Sequence, residues 1–244
     1  MTLRKRCDGD LLRNPTATFR LAVAFLALVA TATVLTLVNV EVPPLLHRLD
    51  RWWRDIVQPP AAWAEYVSDV LYYIGNSWAT IPFRVAIGIW LWRRRRWIDL
   101  AAWLGAWAIA DLLTDALKIG VEQPRPDGSD KYAFPSGHTK SAAQISVGLV
   151  LLTIPPWRPR WPGWVACTLW IAVMAWSRTI LDKHWASNVI TGALLGTGAM
   201  LLAAAAAPFL VDIDTDALVW WDNPGEAAVI VLVLAAAISA TVVR

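Results

Sequence analysis

The chain has 244 residues, 57% of them hydrophobic, with a formal net charge of +3 and a mean hydropathy of +0.46. Residues 21–40 and 185–211 carry no charge over twenty and twenty-seven positions, the length that a hydrocarbon core demands, so a soluble globular domain is excluded. The basic residues gather in short stretches between apolar runs, which fits membrane topology and argues against a nucleic-acid partner.

Residues 1–20 form a polar tail with Arg4, Lys5, Arg6, Arg13 and Arg20. The first predicted span, 21–40, is too long for a cleaved leader and lacks a small-residue cleavage site after it. Residues 41–76 interleave aromatic, aliphatic and charged side chains. They predict one or two amphipathic helices at the membrane surface, broken at Pro59-Pro60. A second span follows at about 77–92 and ends in "RRRR". The third covers about 97–119, and the polar loop "GVEQPRPDGSDKYAFPSG" separates it from the fourth at about 138–154. Pro155-Pro156 closes that span, the basic turn "WRPRW" comes next, and the fifth and sixth spans occupy about 163–177 and 185–208. An acidic stretch precedes a last apolar run, 227–243, at the short limit for a span. Cys7 in the tail and Cys167 in an apolar run have no way to meet as a disulfide.

The expected fold class is therefore all-α: a polytopic membrane protein with a six-helix transmembrane core and residues 227–243 as a candidate seventh helix. If the spans alternate, the tail, "RRRR" and "WRPRW" fall on one side, and the positive-inside rule makes it cytoplasmic. The expected location is the plasma membrane, multi-pass, with the loops 41–76, 120–137 and 178–184 external.

Polar residues collect at that external face. The third span ends near Lys118 and Arg125, and "PSGH" brings Ser136, Gly137 and His138 to the start of the fourth. The fifth ends in Ser177-Arg178, and the sixth begins with His184 and Asn188. Two guanidinium forks, an ammonium and the free amides of a helix start make a cradle for a tetrahedral oxyanion. Ser136 is the expected N-cap of the fourth helix, and Gly137 lets a ligand approach the backbone. His184 and Asn188 stand four apart, so the amide oxygen of Asn188 is expected to accept from one His184 nitrogen and leave the other free to attack. His138 is the expected acid for the leaving oxygen. Asp115 is expected to pair with Lys118, and Arg84 either snorkels to the interface or reaches the pocket.

Lys118-x6-Arg125-Pro126, "PSGH" and Ser177-Arg178-x5-His184-x3-Asn188 together resemble the three-part signature of the type 2 phosphatidic acid phosphatase superfamily. Lipid phosphatases, polyprenyl-diphosphate phosphatases, glucose-6-phosphatase and vanadium haloperoxidases belong to it. The intervals, 9 residues from Pro126 to Pro135 and 39 from His138 to Ser177, are close to the family's. The resemblance covers about residues 75–208. It implies a phosphohistidine on His184, His138 as general acid, and Lys118, Arg125, Ser136, Gly137 and Arg178 around the phosphoryl group, with no metal and no cofactor. The family has aspartate where this chain has Asn188.

The expected domains are a cytoplasmic tail 1–20, a first span with its interfacial segment 21–74, a phosphatase core 75–208, and an acidic turn with an apolar helix 209–244. The expected substrate is a glycerolipid or polyprenyl phosphate or diphosphate, met in the bilayer, with no nucleic-acid partner. Two other readings are a phosphotransferase with a lipid or sugar acceptor and a non-catalytic lipid-phosphate binder weakened by Asn188.

Overall fold

A computed structural model describes residues 45–155 and 158–206, together with Val23, Phe25, Leu26, Val29, Ala30 and Thr33 of the first span. The tail 1–20 and the candidate seventh helix at 227–243 lie outside the described residues. From residue 45 to residue 206 the described residues form seven helices in order: α1 Leu45–Val57, α2 Ala62–Gly75, α3 Ser77–Arg93, α4 Trp97–Val121, α5 Gly137–Thr153, α6 Trp161–Ile180 and α7 Ala186–Ala206. Among the described residues there is no strand. Helices α4 and α7 are long and apolar enough to cross a bilayer by length and composition.

Local chemistry sets the boundaries. Pro59 and Pro60 part α1 from α2, because proline brings no N–H and disfavours helical backbone in the residue before it. Helix α4 ends where Glu122 turns left-handed, at φ 45°, and its N–H reaches back to the Lys118 carbonyl at 3.2 Å. Helix α5 stops at Ile154, just before Pro155, and α6 opens with proline in its first turn.

Helix α5 lies at the centre, packed against α7 and α6. Two glycines four apart, Gly192 and Gly196, let α7 approach. A Cβ on Gly192 would strike the carbonyl of Ser136, and one on Gly196 would strike the carbonyl of Lys140. Small residues at this spacing are how helices in lipid bring their backbones together. The contact continues as a hydrogen bond from Ser136 N–H to the Asn188 carbonyl, 3.0 Å. The "PSGH" turn is thereby pinned to the start of α7. At the other end of the bundle Phe83, Ile87, Leu91, Trp103, Trp107, Val147 and Met200 form a buried apolar cluster.

Candidate active site

Six of the expected residues, Lys118, Arg125, Gly137, His138, Arg178 and His184, line one polar cavity of about 640 Å³. They come from α4, the 122–136 loop, α5, α6 and the 181–185 turn. Ser136 and Asn188 are fully buried behind this wall.

His184 sits in the turn between α6 and α7. Its Nδ1 donates to the carbonyl of Ala133 at 2.7 Å, which leaves Nε2 as the nitrogen with a free lone pair. Burial, then the nearby Arg125 and the His138 ring, hold this imidazole neutral well below its ordinary range, against the hydrogen bond to Ala133. A neutral, pinned imidazole surrounded by cations suits attack on an anion.

The expected partner of His184 was Asn188, and here the structure corrects the reading. Asn188 Nδ2 donates to Gln123 Oε1 at 3.0 Å, and its Oδ1 accepts from Ser187 Oγ at 3.2 Å. The loop segment 132–134 passes His184 and offers the carbonyl of Ala133 instead. Ser136 is likewise corrected: it occupies the N-cap position of α5 without a side-chain capping bond, and its Oγ accepts from Thr139 at 3.3 Å. Gly137 meets the expectation of an open approach, since a Cβ there would touch nothing within 4 Å.

His138 has different surroundings. Its ring stacks on Tyr72 of α2, with centroids 5.3 Å apart. Its Nε2 is buried without a hydrogen-bond partner among the described residues. Gly75 leaves room for this ring, because a Cβ at that position would lie 2.7 Å from His138 Cδ2 and 3.0 Å from Met174 Sδ.

The cations are fixed in different ways. Arg178 is buried, with Nη2 donating to the Ser68 carbonyl at 3.1 Å and Nε to Ser177 Oγ at 3.3 Å. Arg125 Nε lies 2.8 Å from Asp130 Oδ2 as an ion pair, although its N–H is not aimed for a hydrogen bond. Lys118 and Asp115 do not pair; instead Asp111 takes both Arg84, at 2.8 Å, and Lys140. Asp111 and Lys140 face each other across α4 and α5, a closeness that spacing along a single helix does not reveal. Arg84 lines the cavity, so of its two expected positions it takes the pocket.

Sequence reasoning missed what α1 and α2 contribute. Arg54 holds Asp182 with two hydrogen bonds, 2.8 and 2.6 Å. Trp53 donates to Thr179 at 3.0 Å and Gln58 to the Ile180 carbonyl at 2.7 Å. Buried Asp50 accepts from Ser187 N–H and Oγ at 2.8 and 2.7 Å. Helix α1 thus clamps both ends of the turn that carries His184. The available signal was a regular series of polar residues four apart, Asp50 and Arg54 on one face of α1 and Gln58 just past its end.

A family model of the PAP2 superfamily matches residues 99–211. The matched stretch is a little under half of the chain. Over 77 residues the chain is 35% identical to an undecaprenyl-diphosphatase of Sulfolobus acidocaldarius, a match that covers 31% of this chain and 32% of that relative's length. The fold resembles the transmembrane PAP2-type phosphatidylglycerolphosphate phosphatase of Bacillus subtilis, with a TM-score of 0.65 at 21% identity over 79% of this chain and 98% of that one. The PAP2 stretch supplies every expected site residue. Helices α1, α2 and α3, which surround and brace the site, lie before it.

Proposed function

We propose that this chain is a membrane lipid phosphatase that works through a phosphohistidine on His184. The observation that carries the reading is the meeting of two unlike cavities at one residue. Gly75 lines the polar cavity of His138 and His184, and also an apolar groove of about 560 Å³ between α2, α3, α5 and α6. Phe83, Ile145, Leu149 and Trp170 line that groove. A molecule with a phosphate at one end and a hydrocarbon chain at the other fits both at once.

The chemistry follows from the two imidazoles. Nε2 of His184 attacks phosphorus while Arg125, Arg178, Lys118 and the first amides of α5 hold the phosphate oxygens. The ester oxygen leaves with the lipid and takes a proton from Nε2 of His138. His138, now neutral, then takes a proton from water as that water attacks the phosphohistidine, which releases inorganic phosphate and restores His184. The matched relatives include a diphosphatase and a phosphatidylglycerolphosphate phosphatase by name, which favours a lipid phosphate or diphosphate as substrate. We place the six-span core in the plasma membrane with the cavity external and the domains divided as the sequence divides them: tail, first span with interfacial segment, core and C-terminal segment.

Phosphate release from a panel of lipid phosphates by the purified chain in detergent tests the reading. Release that persists in EDTA and falls with vanadate supports it; release that chelation abolishes and magnesium restores defeats the mechanism. For the topology, a cysteine at the exposed Ser129, in a Cys7→Ser, Cys167→Ser background, should react with an impermeant maleimide in intact cells. Labelling only after lysis would reverse the orientation.

A further inference from the structure

The polar cavity does not end at the phosphate cradle. It continues between α3, α4 and α5, where Arg84, Asp111, Thr114, Asp115, Lys140 and Ser141 line it. Asp111 precedes Lys118 by seven residues on α4, so at about 1.5 Å per residue this inner end lies roughly 10 Å deeper along the bundle.

The inner end has its own chemistry. Asp111 accepts from Arg84 through one oxygen and from Lys140 through the other. Arg84 also donates to Ser141 Oγ at 3.3 Å, and its guanidinium lies 3.4 Å over the Trp107 ring. The Nε of Arg84 is buried without a hydrogen-bond partner among the described residues. Thr114 Oγ1 donates to the Ala110 carbonyl, so its lone pairs remain to accept. Two cations, Arg84 and Lys140, stand against two carboxylates, Asp111 and Asp115, and the formal charges cancel. The outer part of the cavity, by contrast, gathers Lys118, Arg125 and Arg178, of which Arg125 is paired with Asp130, a residue outside the cavity lining. A second phosphate would meet Asp111 and Asp115 at like charge. A neutral group that carries several hydroxyls meets both donors and acceptors. Intramembrane charges are costly to keep, and a neutral, hydrogen-bonding cluster open to a cavity is a place where that cost serves recognition.

We infer that the inner end is a subsite for a polyol, the glycerol or sugar part of a lipid phosphate, which it holds through hydroxyl groups while the phosphate rests in the cradle. The inference rests on the phosphatase reading and narrows its substrate class.

The test compares kcat/KM of the full chain in detergent for four phosphates of equal chain length: a plain alkyl phosphate, a glycerol-linked one, a pentose-linked one and an alkyl diphosphate. The wild type should favour a hydroxylated substrate over the plain alkyl phosphate by about tenfold or more, since a buried site built to bond hydroxyls discriminates against their absence. The better of the glycerol and pentose arms identifies the source of the hydroxyls. Asp115→Asn should shrink that ratio several-fold, and so should the milder Ser141→Ala, which removes a hydroxyl and no charge. A ratio is insensitive to the fraction of folded protein. No preference in the wild type, a ratio that neither variant moves, or a loss confined to the diphosphate would overturn the subsite. If the wild type hydrolyses none of the four, the phosphatase reading fails by itself. Binding then decides the subsite: a glycerol-linked alkyl phosphonate should quench tryptophan fluorescence at several-fold lower concentration than a plain alkyl phosphonate, with the difference lost in Trp107→Phe. Equal binding overturns it.

Discussion

The two histidines of the cavity are the same residue type a few residues from a helix start, yet the protein treats them differently. His184 is anchored through Nδ1 to the Ala133 carbonyl, buried, and set in a turn that α1 clamps from outside. His138 is held by ring stacking on Tyr72 and by the space that Gly75 leaves, and its Nε2 has no hydrogen-bond partner among the described residues. One imidazole is fixed in orientation and kept neutral, as a nucleophile must be. The other is fixed in plane and leaves one nitrogen available for proton transfer. In the proposed mechanism environment assigns the roles, because the side chains are chemically identical.

Removing one side of this pair has the largest expected effect. His184→Ala should lower phosphate release by about a thousandfold or more and abolish any acid-labile phosphoenzyme, because the proposed mechanism draws the attacking lone pair from this ring. His138 can be disturbed without being replaced. Gly75→Ala sets a Cβ into the ring edge of His138, and displacement of a reacting group by about 1 Å costs about a hundredfold. That loss should be large for alkyl phosphates and small for nitrophenyl phosphate, whose leaving group needs little protonation. Equal losses on both substrates would remove His138 from the acid role.

Two further changes probe the His184 side. If Asn188 oriented His184, Asn188→Asp would supply a charge and speed the reaction. With Asn188 bonded to Gln123 and Ser187 instead, the new carboxylate shares the Ser187 hydroxyl with buried Asp50. Like charges then meet out of water, so Asn188→Asp should destabilise the protein by about 1–3 kcal/mol, read as a lower melting midpoint, with no gain in turnover. A faster enzyme would restore Asn188 as the partner of His184. The smallest effect expected is a shift in pH dependence. Arg125 is one of the charges that depress the His184 pKa, after burial itself. Arg125→Gln should raise that pKa, so the neutral nucleophile is lost sooner on acidification and the acid limb of kcat/KM moves to higher pH. An acid limb that stays in place or moves lower would separate Arg125 from the ionisation of His184.

The sequence by itself carried most of the helix plan. Largely apolar runs bounded by proline pairs and arginine clusters outline α3 to α7 to within a few residues, because apolar length and backbone breakers are local properties. The residues of the cradle were legible for the same reason: Lys118, Arg125, Gly137, His138, Arg178 and His184 fall at helix ends on one face of an alternating bundle. What the tertiary structure alone decided is who bonds to whom. The Ala133 carbonyl accepts from Nδ1 of His184 because the 122–136 loop crosses the site, and a carbonyl leaves no mark in a sequence. Asp50 and Arg54 reach the catalytic turn across more than a hundred positions. Asp111 joins Arg84 to Lys140 between three helices, and Gly75 matters through the ring it makes room for. Spacing along the chain defines a helix face, whereas a hydrogen bond between segments depends on how the faces are turned together. Here the backbone contact of Gly192 and Gly196 with α5 sets that turn.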